Sequence, residues 1–364
     1  MAPPPSAPQS PLGSLVTQPA GFLRRLAVAP QRLSTMASAR PGATPYDVVY
    51  RENALRLRHY APADGDARGT PVVLAYSLIN RPAILDLQSG RSVVGRFLDA
   101  GFDVYLVDWG DPSRVDASLT IADYVTRYLD DCVDVVRERE DAEDVVVFGY
   151  CMGGTLSAIY AAVRPAKVRA LVLLAAGLDF EADAGILMRW GAERFFDETE
   201  VAGAFGTVPA GFLDAGFVAL EPIDNTVGKY ATLYDRFEDP DFVELFARVE
   251  RWLRDGVDLP GATYAEFVND LYQHNQLAAN EMVLDGAGLP VDLANVTMPV
   301  LQVVGSNDHL VPPATSVPFN DRIPSEDTDV FELDSGHVGL AMSSKAHEEL
   351  WPRVCEWVAD RSGE

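Results

Sequence analysis

The sequence predicts an α/β protein in which a mostly parallel sheet carries helices on both faces and a mainly helical cap is inserted late in the chain. Three observations lead to this class. Short, continuous apolar runs recur along the chain, as strands covered on both faces require. Segments of helical periodicity separate these runs, which is the alternation of a parallel sheet with right-handed crossovers. A long helical and aromatic stretch then interrupts the alternation before it resumes.

The elements of the first half follow in chain order. Residues 48–50 and 55–60 alternate as an antiparallel hairpin would. Four buried strands are expected next, at 72–76, 104–107, 145–148 and 168–175. The helices expected between them cover 93–100, 121–139 and 155–163, and Gly101 is a typical C-terminal glycine for the first of these helices. This half therefore provides most of the sheet.

The second half contains the insertion. Residues 181–292 are mostly helical and rich in aromatic side chains, whereas strands are again expected at 300–304 and 330–333, with a closing helix near 346–358. We therefore predict a core domain made of residues 45–180 and 293–364, and an inserted cap at 181–292. The aromatic side chains of the cap fit either a packed helical layer or the lining of an apolar channel, and the sequence leaves both interpretations open.

The charge of the chain excludes one class of function and suggests an environment. The formal net charge is -25, and a nucleic-acid-binding protein needs a basic surface. Positive charge comes almost entirely from Arg, because the only lysines are Lys167, Lys229 and Lys345. Such an acidic, Lys-poor surface predicts a halophilic cytoplasm, where salt screens the self-repulsion. An acidic protein from a low-salt cytoplasm is the alternative.

Cysteine content and hydropathy place the chain further. The three cysteines have neither the pairing of a disulfide framework nor a metal-ligand spacing, so a reducing intracellular compartment and no bound metal are expected. No apolar run reaches the roughly 18 residues of a transmembrane helix. The first residues lack a basic region followed by an apolar stretch, so a secretory signal is not expected.

The sharpest motif is Gly149-Tyr150-Cys151-Met152-Gly153-Gly154, which follows an apolar strand and opens a helix. This is the context of a nucleophile elbow, with Cys151 at the position where hydrolases of the α/β-hydrolase fold carry serine. Side chains at Gly149 and Gly153 would collide with the neighbouring helix and strand. The helix N-terminus favours the thiolate and offers backbone N–H groups to an oxyanion. Cys151 is therefore the candidate nucleophile.

An acid and a base appear in the chain order that this fold uses. Asp308 lies in a loop after the strand at 300–304, and His337 lies in a loop after the strand at 330–333. Each residue alone fits an ordinary loop. The three together, in this order and strand context, predict a Cys151–His337–Asp308 triad. The expected oxyanion donors are the backbone N–H groups of Met152 and of Ile79, which lies in the loop after an early strand.

The other polar candidates are given structural interpretations. Cys132 and Cys355 are expected as small buried hydrophobic residues. Asp108 and Asp111 fit turn chemistry, and His309 is expected beside the acid in a supporting position. The remaining histidines, His59, His274 and His347, are expected to be packed or to face solvent.

From about Gly42 to the C-terminus, the sequence resembles the polyhydroxyalkanoate synthases, and class III in particular. The box with Cys and a following Gly pair is the synthase version of the lipase box. The other motifs that carry the resemblance are Thr44-Pro45 with Val48-Val49-Tyr50, Tyr76-Ser77-Leu78-Ile79-Asn80-Arg81-Pro82 with Asp86-Leu87, Gly101-Phe102-Asp103-Val104-Tyr105-Leu106, Asp108-Trp109-Gly110, Asp308-His309-Leu310-Val311-Pro312-Pro313 and Gly336-His337-Val338-Gly339.

The resemblance implies a function. The expected substrate is an (R)-3-hydroxyacyl-CoA, whose acyl group is transferred to a growing polyester with release of coenzyme A. It also implies that Cys151 is the nucleophile, His337 the general base and Asp308 its partner. Coenzyme A is carried by the substrate, so no resident cofactor is expected. A second, non-catalytic subunit, a homo-oligomer and a place on cytoplasmic polyester granules are expected as well.

Two other classes of function stay open. A Cys-nucleophile hydrolase, such as a thioesterase, lactone hydrolase or polyester depolymerase, would use the same triad. The second is a non-catalytic protein that coats granules, although such a protein would not need Cys151, Asp308 and His337 together.

The first 44 residues stand apart from the motifs. They are rich in Pro, Ala and Ser and begin with a Pro3-Pro4-Pro5 run, so we predict a flexible segment. Within it, residues 21–36 have the pattern of a short amphipathic helix. That helix would meet either a partner or granule surface, or its own domain.

Overall fold

An eight-stranded sheet forms the centre of the protein in a computed structural model that describes residues 19–62, 65, 67, 69–182, 185–220, 222, 224–284 and 286–363. Its strands are β1 (Asp47–Glu52), β2 (Leu55–Tyr60), β3 (Val72–Ala75), β4 (Val104–Asp108), β5 (Val145–Tyr150), β6 (Val168–Leu174), β7 (Val300–Gly305) and β8 (Thr328–Leu333). Their spatial order is β1-β2-β4-β3-β5-β6-β7-β8. The β1–β2 and β2–β4 pairs are antiparallel, and every pair from β4 to β8 is parallel. The mostly parallel sheet that the sequence predicts is thus confirmed.

The central strands are buried along their whole length. Every residue of β3, β4 and β5 is buried, which explains why these strands read as unbroken apolar runs and not as alternating ones. Strand β8, at the sheet edge, is mostly half-exposed and carries Asp329 and Glu332 among its apolar residues. Charged side chains on an edge strand discourage pairing with another chain.

Helices cover both faces of the sheet. On one face lie Met152–Val163, which we call the elbow helix, and the continuous run of Ile121–Asp123, Tyr124–Leu129 and Asp130–Glu140. On the other face lie Val93–Asp99, His337–Met342, Ala346–Leu350 and Trp351–Ala359. Successive strand residues supply the two faces in turn, since Val73 joins the first apolar cluster and Val72 the second.

Between β6 and β7 the described chain adds no strand to the main sheet. Instead it forms a helical layer, residues 185–279, which corresponds to most of the predicted cap. Its elements are Gly185–Trp190, Glu198–Phe205, Ala210–Leu220, Asp224–Gly228, Lys229–Asp235, Pro240–Arg254 (the long cap helix), Gly261–Glu266, Phe267–Gln273 and Gln276–Ala279. Small two-stranded pairs accompany the main sheet: Thr207–Val208 with Leu259–Pro260, Val283–Leu284 with Leu289–Pro290, and Asp86–Gln88 with Arg91–Ser92.

The N-terminal segment differs from its prediction over part of its length. Residues 1–18 lie outside the described residues, but Pro19–Ser38 forms a helix that packs against the long cap helix. Of the two roles that the sequence leaves open, the structure supports packing on the same chain. The attachment is polar: Arg32 Nη2 donates to Glu238 O at 2.9 Å, and the Arg25 guanidinium lies 4.6 Å from the Tyr234 ring centre.

Both faces of this N-terminal helix carry apolar side chains. Leu23, Leu26 and Leu33 are exposed, as is Arg24 at 69%, whereas Phe22, Val28 and Met36 are half-buried. None of the helices in the described part of the chain is both long and apolar enough to cross a bilayer.

Candidate active site

Cys151 occupies a strained turn between β5 and the elbow helix. Its backbone has φ 56° and ψ -126°, a conformation that L-residues rarely adopt. The turn is held from both sides, because Cys151 N donates to Leu174 O at 2.9 Å and Gly154 N donates to Cys151 O at 2.8 Å. These bonds fix the residue at the carboxyl end of the sheet, where α/β proteins place functional groups. The predicted elbow is therefore present in the backbone.

The glycines around Cys151 are needed for close packing, as the sequence predicts. A Cβ at Gly149 would overlap Gly154 of the elbow helix, and a Cβ at Gly153 would overlap the carbonyl oxygens of Ala75 and Tyr76 at the end of β3. A Cβ at Gly154 would stand 2.5 Å from the Ala176 Cβ. The elbow can thus approach the sheet only because side chains are missing.

His337 and Asp308 form a direct hydrogen bond. His337 Nδ1 donates to Asp308 Oδ2 at 2.7 Å, and the Asp308 side chain is fully buried. The other carboxylate oxygen of Asp308 accepts from the backbone N–H groups of Leu310 and Val311 at 2.9 and 2.8 Å. Three donors therefore hold the carboxylate. Because Nδ1 is bonded to Asp308, Nε2 is the imidazole nitrogen that can accept or donate a hydrogen bond elsewhere.

Adjacent strands bring this acid and base together. Asp308 follows β7 and His337 follows β8, and these strands pair along their full length. The two loops are joined to each other, since Ser306 N donates to Leu333 O and Asn307 N donates to Ser335 O. One detail differs from the sequence prediction: His337 is the first residue of the helix His337–Met342 and does not lie in a loop.

The surroundings of His337 favour its charged form. Burial alone would lower the pKa of His337, but the charges of Cys151 and Asp308 and its hydrogen bonds with both groups raise that pKa from 6.5 to about 10. The environment of His337 therefore favours the imidazolium form.

Tyr150 is a site residue that the sequence analysis did not single out. Its hydroxyl donates to the backbone oxygen of His337 at 2.9 Å, and its ring centre lies 5.2 Å from that of the imidazole. Tyr150 therefore orients the base by contacting both its backbone and its ring. Its position next to Cys151 in the motif was a visible signal, but the partner it reaches is 187 residues away in sequence.

The backbone N–H groups of the two expected oxyanion donors differ in the hydrogen bonds that they make. Met152 is the first residue of the elbow helix, so its backbone N–H has no acceptor one turn earlier in that helix. The N–H of Ile79 donates to Ser77 Oγ in a long 3.3 Å bond, and the Ile79 carbonyl accepts from Val257 N at 2.8 Å. To bind the Ile79 N–H, an oxyanion would have to displace the Ser77 hydroxyl oxygen as its acceptor. Both donor roles remain predictions.

An apolar cavity of about 390 Å³ lies under the helical layer and ends at Cys151. Its lining is dominated by aromatic and aliphatic side chains from the helical layer and from the loops at the sheet edge. These include Phe180, Met188, Trp190, Phe212, Phe217, Phe267 and Tyr272. A cavity of this size and apolar lining can hold an acyl group.

A second, more polar cavity of about 540 Å³ meets the first at Cys151. Its wall contains His337 and Asp308, and toward the helical layer it contains Lys229, Glu250 and Arg254. Lys229 Nζ contacts Glu250 Oε1 at 2.6 Å, whereas the Arg254 side chain is 74% exposed. Lys229 and Arg254 are not singled out by the sequence, because they lie in the helical layer, far from any motif.

The other titratable candidates lie away from Cys151 or keep structural roles. His59 Nε2 bonds Asp103 Oδ1 at 2.8 Å near the opposite end of β4, and His347 is buried with its pKa lowered to about 4, mainly by desolvation. His274 is exposed and bonds its own helix at Asn269 O. His309 lines the polar cavity beside the acid. Cys132 and Cys355 are buried, as predicted.

Comparison with known proteins gives a consistent result. A family model described as the alpha/beta hydrolase fold matches residues 71–341. The chain is 51% identical over 345 residues to the poly(3-hydroxyalkanoate) polymerase subunit PhaC of Haloferax mediterranei, covering 95% of this chain and 70% of that protein. It is 49% identical to the PhaC subunit of Haloarcula marismortui, covering 92% of this chain and 72% of that protein.

Solved structures agree on the fold. The monoacylglycerol lipase of Paleococcus ferrophilus superposes with a TM-score of 0.54, covering 85% of this chain and 99% of the lipase. The two sequences are 18% identical, so this likeness concerns the fold alone. The α/β-hydrolase fold that the elbow motif predicts is confirmed.

Proposed function

The chain belongs to the PhaC family of poly(3-hydroxyalkanoate) polymerases, which are acyltransferase-type enzymes, and we propose that it transfers (R)-3-hydroxyacyl groups from coenzyme A to a growing polyester through Cys151. The observation that carries this proposal is the position of Cys151. It lies in an elbow, within reach of a His337–Asp308 pair, at the junction of an apolar and a polar cavity.

In the first step, the Cys151 thiolate attacks the thioester carbonyl carbon of the substrate. The carbonyl oxygen becomes an oxyanion that the backbone N–H of Met152 is placed to stabilise. When the carbonyl reforms, the bond to the coenzyme A sulfur breaks, and the leaving thiolate takes the proton from His337. The acyl group is then held as a thioester on Cys151 and keeps its transfer potential.

In the second step, the 3-hydroxyl of another hydroxyacyl unit attacks the acyl-Cys151 thioester. His337, now neutral, accepts the hydroxyl proton, and Asp308 stabilises the resulting imidazolium. The new ester bond forms as the bond to the Cys151 sulfur breaks, which restores the thiolate–imidazolium pair. The raised pKa of His337 supports this cycle, because it favours the imidazolium that protonates the leaving coenzyme A thiolate.

In this proposal, each of the two cavities holds a different part of the substrate. The apolar cavity takes the acyl part and the polyester and keeps water from the thioester. The polar cavity takes the coenzyme A part, with Lys229 and Arg254 as the groups that would meet its phosphates. No resident cofactor is needed, since coenzyme A arrives with the substrate. By the same resemblance to class III, we propose a second, non-catalytic subunit, a homo-oligomer and a place on cytoplasmic polyester granules.

The test incubates the protein in molar KCl with (R)-3-hydroxybutyryl-CoA and follows coenzyme A release together with insoluble polyester, beside Cys151→Ala. We expect polymer from the wild type and none from the variant. Release of coenzyme A with only free hydroxy acid would replace the proposal with a thioesterase. Because the catalytic subunit is expected to work with a second one, absence of both products is decisive only in a repeat with the co-expressed partner subunit, where it would contradict the proposal.

A further inference from the structure

The apolar cavity opens to solvent between aromatic side chains. Trp190 and Phe212 belong to the cavity wall, and each is 41% exposed. A side chain that both lines a cavity and faces solvent marks the cavity mouth. This mouth therefore lies on the helical layer, between the helices Gly185–Trp190 and Ala210–Leu220.

Two further exposed aromatic residues adjoin the cavity wall. Phe205 is 42% exposed with its ring centre 5.9 Å from that of Phe212, and Phe195, 68% exposed, directly precedes the wall residue Phe196. We call Trp190, Phe195, Phe205 and Phe212 the aromatic rim. Exposed charged residues of both signs lie in the same stretch of chain, and the Arg194 guanidinium lies 4.5 Å from the Phe195 ring centre. An apolar patch with a polar border is the usual form of an interaction site.

We propose that the aromatic rim is a polyester-binding surface, which holds the product where it leaves the apolar cavity. This inference rests on the proposed function, because it takes the polymer chain on Cys151 as its starting point. The chain must leave by a path that tolerates uncharged ester and alkyl groups. Of the two cavities at Cys151, the apolar one has the less polar wall, whereas the wall of the other also carries charged side chains such as Asp308, Lys229 and Glu250.

The chemistry of the rim suits a polyester better than other ligands. Aromatic faces bury large apolar areas with little loss of side-chain entropy, and an uncharged polymer brings no group that needs a counter-ion. The charges around the rim have both signs, and molar salt weakens their attraction to phosphates or anionic lipids but not the apolar contact with an uncharged polymer. A second copy of this chain is the main competing occupant, and its acidic surface would have to be screened by salt.

The test measures adhesion without catalysis. In the Cys151→Ala background, the protein is incubated in molar KCl with a film of poly(3-hydroxybutyrate), and bound protein is quantified against concentration. The rim variant is Phe195→Ser with Phe205→Ser, two residues outside the cavity wall. We expect it to bind at least about tenfold more weakly, since two exposed aromatic contacts are removed. The matched control is Leu23→Ser with Leu26→Ser, which removes two side chains that are 63% and 59% exposed on the N-terminal helix.

The outcomes separate the occupants. Equal binding by the rim variant and its parent, or loss of binding only in the leucine control, would overturn the proposal. If the rim variant changes the molar mass by light scattering while adhesion stays the same, the rim is an interface between copies. Initial coenzyme A release is measured with the co-expressed partner subunit, for the wild type and for both variants with Cys151 restored. No release by the wild type would count against the proposed function, whereas weaker adhesion with unchanged release concerns the rim alone.

Discussion

At the scale of single residues, Gly153 shows how tightly the nucleophile is held against the sheet. A methyl group there would overlap two backbone oxygens at the end of β3, which cannot turn aside as a side chain would. We expect Gly153→Ala to lower the free energy of unfolding by about 2–3 kcal/mol, through overpacking against backbone. Denaturant unfolding followed by circular dichroism measures this change.

A second glycine provides the control. Gly203 lies inside the helix Glu198–Phe205, and a Cβ there would meet nothing within 4 Å. Gly203→Ala should therefore leave the stability unchanged or raise it by about 0.5–1 kcal/mol, the usual helix preference for alanine. Similar effects at both positions would show that the elbow is less constrained than its geometry indicates.

His337 provides a direct electrostatic prediction. Its pKa is raised to about 10 by the negative charges of Cys151 and Asp308. Removing either charge destabilises the imidazolium, so Cys151→Ala and Asp308→Asn should each lower the pKa of His337. Titration of the imidazole resonances by NMR reports this value.

His347 serves as an internal reference in the same titration. His347 is buried away from the site with its pKa lowered to about 4 by desolvation, and neither variant should move it. An unchanged pKa of His337 in Cys151→Ala would mean that the thiolate does not face the imidazole.

At the scale of secondary-structure elements, the sequence predicts strands best where burial on both faces makes them continuously apolar. The strands β3 to β6 are buried on both faces, so their apolar runs located them to within two residues. The placement of Cys151, Asp308 and His337 is also predictable, because each lies within four residues after the end of a strand. Their roles as a triad stay a prediction. Tyr150, Lys229 and Arg254 were missed, because their roles depend on partners that only the folded chain brings near. The start of a helix at His337 was missed because its six residues are too few to show a period.

The N-terminal helix is only partly predicted by its sequence, because apolar side chains lie on both of its faces. Arg25 and Arg32 contact the helical layer. The apolar side chains are half-buried at Phe22, Val28 and Met36 and exposed at Leu23, Leu26 and Leu33. The pattern therefore identified a helix but not the face by which it is attached.

Arg32 should be the residue that keeps this helix in place. It is buried and donates to the backbone oxygen of Glu238, so Arg32→Ala should release the helix locally at a cost of about 1–3 kcal/mol. Hydrogen exchange should accelerate roughly tenfold or more in residues 19–38 and remain unchanged in β5. Leu33→Ala, at an exposed position on the same helix, is the control. If exchange in both variants equals that of the wild type, other contacts hold the helix.

At the scale of the whole molecule, the net charge of -25 predicts that the stability of the fold depends on salt concentration. The relatives from Haloferax mediterranei and Haloarcula marismortui agree with a halophilic surface. Molar salt shortens the Debye length to about 3 Å and so removes most self-repulsion, while surface ion pairs that it also weakens contribute little. We expect the melting temperature to rise by roughly 5 °C or more between dilute buffer and molar KCl.

Differential scanning calorimetry at several KCl concentrations measures this dependence. Sucrose is the uncharged control, because it stabilises compact states without screening charge. A protein that stays folded and active in dilute buffer, with a melting temperature insensitive to KCl, would contradict the halophilic interpretation.

The claim on which the account depends is that Cys151 carries the acyl group. The most direct measurement is intact-protein mass spectrometry after brief mixing with (R)-3-hydroxybutyryl-CoA and an acid quench, with Cys151→Ala and Cys132→Ala in parallel. The account predicts an added mass of one or more 3-hydroxybutyryl units on the wild type and on Cys132→Ala, located by peptide mapping at Cys151, and none on Cys151→Ala. Acyl groups on Cys151→Ala, or coenzyme A release by that variant at the wild-type rate, would contradict it.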